Sequence, residues 1–309
     1  MNERVFPPIT VIVPVINEEE KIKTCLEAIF NQTLLPNEVI IVDGNSKDNT
    51  VINASKFPVR ILYENYHTRA GACQIGVENA KNEFVAFTDA DCLPEINWLK
   101  NLISEFDNNI VGVGGCIKNL GEGIWISSIN FAMGTFLGSA KSIQGRQFKE
   151  KKYVKSISGC NSIYRKKDIM DVGGFDVNLT TAEDTNLNSK LLTIGKLLFI
   201  PNAVIFHNHS RGLKAFAKRM YQYGYGRAKA RLFDLQILPP IVAVCLLGSL
   251  FLTPYLFAAV FGIYLAAVFS MGVILSLKEG NAIYLITIPV VYFIEHFMYA
   301  YGFWRGILC

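Results

Sequence analysis

Paired cysteine spacing is missing from this chain. Its seven cysteines, Cys25, Cys73, Cys92, Cys116, Cys160, Cys245 and Cys309, are scattered with no CxxC element, which argues against a disulfide framework or a zinc site and for free thiols in a reducing compartment. An apolar leader is missing too. Met1-Asn2-Glu3-Arg4-Val5-Phe6-Pro7-Pro8 has no stretch of signal-peptide length, so residues 1–230 are expected to stay in the cytoplasm. No internal repeat or low-complexity tract breaks the sequence. Charge is scarce: only 18% of residues are charged against 51% hydrophobic, and the net charge is +4.

The apolar excess is uneven. Residues 235–253, 254–277 and 282–308 are nearly uncharged runs, of a length that crosses a hydrocarbon core of about 30 Å. Two to three transmembrane helices are expected, because Pro239, Pro240 and Pro254 leave a re-entrant hairpin open as the alternative to two full spans. Lys214, Lys218, Arg219, Arg227, Lys229 and Arg231 precede the first run. Positive charge there favours the cytoplasmic side of a cell membrane, and its crowding into one helix-like segment suits anionic lipid better than nucleic acid. The expected division is a cytoplasmic domain over 1–211, an amphipathic interfacial helix over 212–234 and a membrane domain over 235–309.

The part before residue 211 alternates short apolar runs with helical patterns. Residues 9–13 form a β-branched run; Asn17, with Glu20 three residues on, then has the pattern of an N-cap, opening a helix with Ile22, Leu26, Ile29 and Phe30 on one face. Runs 39–42, 59–62 and 84–88 follow, with a helical stretch to Ala80 before the last. β-α-β-α-β order with continuous apolar strands predicts an α/β fold, a Rossmann-like sheet with helices on both faces and ligands outside the strands' carboxyl ends. Pro14 to Asn17, Asp43 to Asp48, and Asp89-Ala90-Asp91 all fall at such ends. By itself the 43–50 segment reads as a turn and helix cap; at a strand end its carboxylates can also accept from a nucleoside. Asp89 and Asp91 offer oxygen ligands to Mg2+ or Mn2+.

His207 and His209, at i and i+2 after the apolar stretch 203–206, lie on one side of an extended strand, and neutral imidazole suits Mn2+. His207 is the expected ligand, with a surface histidine as the alternative. Arg211 has the charge to neutralise a diphosphate, or is a solvated loop arginine. The stretch 124–137 is too short and too rich in Ser and Gly to span a bilayer. It reads as a membrane-leaning cover over an acceptor site or as a core helix. Glu295 and His296, costly in lipid, should face protein.

Three segments, Ile9-Thr10-Val11-Ile12-Val13-Pro14-Val15-Ile16-Asn17-Glu18, Ile40-Ile41-Val42-Asp43-Gly44-Asn45-Ser46-Lys47-Asp48-Asn49-Thr50 and Thr88-Asp89-Ala90-Asp91, resemble in order and spacing the family 2 glycosyltransferases of the GT-A fold. Ser158 to Lys166, Gly173-Gly174-Phe175-Asp176 and Ala182-Glu183-Asp184-Thr185-Asn186-Leu187 match that family's acceptor-side blocks. The likeness covers about residues 8–232 and is greatest for membrane-attached enzymes of the succinoglycan-biosynthesis type. It implies a nucleotide pocket of Pro14, Asn17, Glu18, Asp43 and Asp48, with Arg69 and Gly71 beside the nucleotide sugar. Asp89 then meets the ribose or sugar, Asp91 a Mg2+ or Mn2+ ion, Gly159 and Asn161 the acceptor side together with Arg211. Asp184 corresponds to the base, with Glu183 next to it; first-turn acids favoured by the helix dipole are the alternative. The chain departs from the pattern at Gly44, where a second acid is usual.

One carboxylate base and direct displacement imply inversion at the anomeric carbon. The expected reaction moves a sugar from a nucleotide-sugar donor, a UDP-sugar first, to a hydroxyl of a lipid-linked saccharide. Its rivals are a polyprenyl-phosphate sugar synthase, a non-catalytic membrane scaffold that keeps the nucleotide-sugar fold, and a transporter or channel. Intact Asp89, Asp91 and Asp184 count against the scaffold, and the scarcity of polar residues in the apolar runs against the transporter.

Overall fold

A computed structural model describes residues 6–139, 148–208 and 212–308. His209 and Arg211 lie outside the described residues. The chain forms two compact units, one of residues 1–120 and 147–208, the other of 121–146 and 209–309.

The first unit is a mixed sheet, nine-stranded among the described residues, in the order β3-β2-β1-β4-β8-β6-β9-β5, with β7 also on β9. Four parallel strands, β1 (Ile9–Val15), β2 (Glu38–Asp43), β3 (Arg60–Tyr63) and β4 (Phe84–Phe87), form one side of it. Along β1, Val11 and Val13 face one buried layer and Ile12 the other. Two-sided burial explains the continuous apolar run, because a polar residue on either face would lie in a core. Helix α1 (Ile22–Phe30) closes the first layer with Ile22, Leu26 and Ile29, and α3 (Arg69–Asn79) closes the second with Cys73 and Val77. Each such aliphatic side chain contributes about 1.5–3 kcal/mol by leaving water. The short helix α2 (Thr50–Ala54) follows β2.

Beyond β4 the direction reverses. β8 (Ser162–Arg165) runs antiparallel to β4 and to β6 (Ile110–Leu120), while β9 (Lys196–Asn208) is parallel to β6. The short strands β5 (Cys92–Pro94) and β7 (Lys152–Val154) are antiparallel to β9. Helix α4 (Trp98–Ile103) follows β5.

The second unit holds α5 (Ile124–Met133), α6 (Phe136–Ser139), α9 (Leu213–Lys229), α10 (Leu238–Leu252), α11 (Pro254–Glu279) and α12 (Tyr284–Leu308); α7 (Lys166–Asp171) and α8 (Glu183–Leu191) belong to the first. The 124–137 stretch, expected within the 1–211 domain, thus groups with the apolar helices. Three segments, 235–252, 254–279 and 284–308, are long and apolar enough to cross a membrane by length and composition. Glu295 is buried against protein. His296 donates from Nε2 to the Leu137 carbonyl at 3.1 Å, which leaves Nδ1 to accept from the Tyr264 hydroxyl, also at 3.1 Å.

Two local expectations are corrected. Asn17 is not an N-cap: α1 starts at Ile22 after Lys21. Asn17 instead sits in the left-handed region at φ 52°, where its side-chain oxygen accepts from Lys47 N at 2.8 Å and so joins two loops. Helical periodicity after Asp184 puts Leu187, Leu191 and Ile194 on one face, but Ile194 does not extend it, because α8 ends at Leu191 and Ile194 is 51% exposed.

Candidate active site

The loops at the carboxyl ends of β1 and β2 are locked together. Asn17 N donates to Ser46 Oγ at 2.9 Å, Glu18 N to Thr50 Oγ1 at 2.8 Å and Glu19 N to Asp48 Oδ2 at 3.1 Å. Asp43 is buried and receives Ser46 N at 2.9 Å. Asp48 also receives Thr50 N at 3.0 Å; against some desolvation, these donors hold its carboxyl below the usual range. Both carboxylates therefore fix the loops at this sheet edge, and Pro14 and Glu18 beside them are half-buried. Four of the non-glycine residues at positive φ, Asn17, Asn45, His67 and Ala182, belong to loops around this edge, where backbone strain is commonly stored.

Glu64 joins the cluster although its sequence context did not mark it. It is 3% exposed just past β3, and its Oε2 accepts from Tyr66 N at 2.8 Å. A Cβ on Gly44 would lie 3.5 Å from its Oε1. A carboxylate from β3 thus stands beside the position where the family pattern has its second acid. That proximity is invisible in the 43–50 segment, since the carboxylate comes from the loop after another strand.

Around β4 the charged residues interlock. Thr68 caps α3 by accepting from Gly71 N at 2.9 Å, which orients Arg69 at the first helical position. The guanidinium of Arg69 meets Asp89 Oδ1 at 2.6 Å through Nη2 and Glu183 Oε1 at 2.6 Å through Nη1. Burial opposes charge on Arg69, but Asp89 and Glu183 outweigh it and keep the guanidinium firmly protonated. Burial pushes the Glu183 carboxyl up, Asp184 reinforces this, and Arg69 acts in the opposite sense.

Asp184 is 9% exposed at the N-terminus of α8. Gly159 N donates to its Oδ2 at 3.0 Å and Thr185 N to its Oδ1 at 2.6 Å. A Cβ at position 159 would come within 2.9 Å of Arg69 Nη1 and 3.3 Å of Asp184 Cβ, so the backbone there lies close against both side chains. The carboxylate is held in one orientation, as a positioned proton acceptor requires.

Asp91 and His207 meet across the β5–β9 pairing, in which His207 lies opposite Cys92. Asp91 Oδ1 and His207 Nε2 are 3.0 Å apart, and ligand atoms of Asp91, Cys92 and His207 all lie within 4.8 Å of one another. Burial lowers the His207 pKa, yet the hydrogen bond to Asp91 prevails and the net shift is upward. A hydrogen bond with Cys160, together with burial, keeps the Cys92 thiol protonated well above its ordinary range. One carboxylate oxygen and one imidazole therefore fit a hard divalent cation such as Mn2+ better than a thiophilic one.

Asn161, expected on the acceptor side, is fully buried instead. Its Oδ1 accepts from Trp98 Nε1 at 2.8 Å, while Nδ2 donates to the carbonyls of Cys116 at 2.9 Å and Ala203 at 3.0 Å. These bonds stitch α4, β6 and β9 together and leave no amide hydrogen for a ligand.

The comparisons with known proteins accord with this geometry. A protein of Methanococcus voltae named dolichyl N-acetyl-alpha-D-glucosaminyl phosphate 3-beta-D-2,3-diacetamido-2,3-dideoxy-beta-D-glucuronosyltransferase is 27% identical over 97% of this chain and 97% of its own length. Glycosyltransferase AglE of Haloferax volcanii is 27% identical over 78% of this chain and 80% of its own. Among solved structures, a mannosyltransferase of Pyrobaculum calidifontis in complex with GDP-Man and Mn2+ has a TM-score of 0.64 at 19% identity, covering 94% of this chain and 86% of that one. Its likeness establishes a shared fold. Residues 10–173 match the model of Glycosyl transferase family 2, and the chain belongs to that family of glycosyltransferases.

Proposed function

We propose that this protein is an inverting, metal-dependent glycosyltransferase that moves a sugar from a nucleoside-diphosphate donor, a UDP-sugar first among them, to a hydroxyl of a lipid-linked saccharide at the cytoplasmic face of a membrane. The observation that carries the reading is the convergence of Asp89, Asp91, Arg69, Glu183 and Asp184 from three separate segments, the β4–β5 loop, α3 and α8.

Asp43, Asp48, Asn17 and Glu18 form the wall for the nucleoside, with Pro14 at the end of β1 and Gly71 under the Tyr66 ring. Asp91 and His207 would hold a Mg2+ or Mn2+ ion, which supplies charge stabilisation to the departing diphosphate. Asp89, fixed by Arg69, faces the sugar side. Asp184 accepts the proton of the attacking hydroxyl at a carboxylate oxygen, and attack opposite the leaving group inverts the anomeric carbon. Glu183 is committed to Arg69 and serves as a positioning residue. Gly159 borders the acceptor through its contact with Asp184.

The lipid-linked acceptor is supported by the membrane-length helices and by the Methanococcus voltae relative, whose name specifies a dolichyl-linked N-acetylglucosaminyl phosphate. Tethering to a bilayer raises effective concentration only for an acceptor within that bilayer. A phosphate acceptor, as in a polyprenyl-phosphate sugar synthase, is already an anion and needs little from a base, so the oriented Asp184 favours a hydroxyl. Incubating the full chain with a panel of nucleotide sugars and a membrane lipid extract tests the reading. Metal-dependent transfer to a lipid saccharide is expected; transfer only to free polyprenyl phosphate selects the synthase instead, and no turnover with any donor leaves the scaffold.

A further inference from the structure

We infer that α12 lies along the headgroup layer of an anionic membrane, with α9 and α5 beside it, and does not cross the bilayer. The chain would then cross twice, through α10 and α11, and end on the side where it began. The inference rests on the reading of the second unit as membrane-seated.

The packing within that unit carries it. Three contacts between α9 and α12 are backbone on backbone. A Cβ on Gly302 would lie 2.0 Å from the Tyr221 carbonyl oxygen, one on Gly306 2.7 Å from that of Tyr225, and one on Gly224 2.0 Å from that of Tyr299. From Tyr221–Gly302 to Tyr225–Gly306 both helices advance by one turn, so they run side by side in the same direction. Lys214 and Lys218, earlier on α9, therefore lie alongside the stretch of α12 that holds Glu295 and His296.

A spanning α12 (Tyr284–Leu308) would have Glu295 and His296 at its middle. Lys214 and Lys218, both exposed, would follow them to the bilayer centre, where an uncompensated cation is costly. Arg219 and the exposed Lys229 share the same helix. Laid in the interface, the same lysines reach anionic headgroups, where they are favourable.

The other half of α12 is paired with α5 and α6 in the same manner. Ser128 Oγ donates to Thr287 Oγ1 at 2.7 Å, Thr135 Oγ1 and the Tyr292 hydroxyl are 2.7 Å apart, and Leu137 O receives His296. That companion is a ten-residue helix followed by a single turn, inserted between strands of the first unit. Neither end of α12 is thus free to sit alone in lipid. Its composition agrees: it carries Pro289, Glu295, His296 and Arg305, and its mean hydropathy of 1.2 contrasts with 2.2 and 2.3 for the other two segments. Exposed Phe297, Tyr301, Ile307 and Leu308 supply the apolar face that an interfacial helix buries.

Single cysteines test this in the full chain with Cys245 and Cys309 replaced by serine. Lys23→Cys on α1, Tyr255→Cys at the α10–α11 junction and Arg305→Cys on α12 are labelled with a membrane-impermeant maleimide from each side of sealed vesicles. Arg305→Cys is expected to label from the same side as Lys23→Cys, and labelling from the opposite side overturns the inference. Tyr255→Cys labelling from the opposite side checks that α10 and α11 cross; its failure removes the membrane-crossing premise itself. A nitroxide at Phe297→Cys gives a second measure. It should collide with a water-soluble nickel chelate several-fold more often than one at Ile263→Cys on α11, and equal, low collision rates at both sites would place α12 in hydrocarbon.

Discussion

Arg69 Nη1 lies 2.6 Å from Glu183 Oε1, while the same guanidinium holds Asp89 Oδ1 at 2.6 Å through Nη2. Residues far apart in sequence are tied into one charged unit, so Glu183 in the first turn of α8 and the strand-end acid of β4 are positioned by one cation.

Replacing Arg69 by methionine leaves Glu183 nearly buried without its cation. We expect a loss of about 1.5–3 kcal/mol, the range for a hydrogen bond to a charged group, visible as a lower midpoint in chemical denaturation. Turnover should fall as well, and Arg69→Lys should recover part of the stability but less of the activity, because an ammonium cannot reproduce the fork.

Asp184→Asn keeps the hydrogen-bond acceptor geometry at one oxygen and removes the proton acceptor. Turnover with a hydroxyl acceptor should drop by about 10²–10⁴-fold, while metal-dependent nucleotide binding, measured by calorimetry, is retained. Unchanged turnover would remove Asp184 as the base.

Asp91→Ala and His207→Ala should each abolish the Mn2+-dependent part of nucleotide affinity, and a chelator should do the same to the unaltered protein. If nucleotide affinity in either variant still rises with Mn2+, that residue is not a ligand.

The His207 pKa is raised by Asp91 despite burial. A raised folded-state pKa contributes stability that is fully present below the unfolded value of about 6.5 and is lost as pH rises through the folded value. Metal-free protein should therefore gain stability relative to His207→Gln as pH falls from alkaline toward 6. Mn2+ affinity should move the other way, rising with pH as the imidazole gives up its proton.

Asn161→Ala leaves the Trp98 indole N–H and two buried carbonyls without their partner. Destabilisation of roughly 3 kcal/mol is expected from unsatisfied buried groups, with turnover per folded molecule little changed. Normal stability with a raised acceptor KM would instead return Asn161 to the acceptor side.

Local pattern was enough for much of this protein. Runs such as 9–13 and 84–88 are apolar at every position but Thr10 and Thr88 because both faces of their strands are buried, so their place in a covered parallel sheet could be read from side chains alone. The strand-end acids were legible for the same reason: in a parallel α/β sheet the carboxyl ends share one edge, and Asp43, Asp89 and Asp91 had to lie near one another. Membrane-length runs were equally plain from composition.

What depended on distant partners was not legible. Asn161 and Asn17 are polar residues in motif segments, and only the chain packed against each shows that one stitches the core and the other joins two loops. Glu64 became visible only once β3 lay beside β2. The Arg69 bridge joins elements that meet through the fold and not through the sequence. The same limit applies to α12: its length and apolarity are local quantities that permit a span, whereas the lysines of α9 bear on it only through side-by-side packing. Burial and periodicity are written into neighbouring residues; hydrogen-bond partners and helix companions are chosen by tertiary structure.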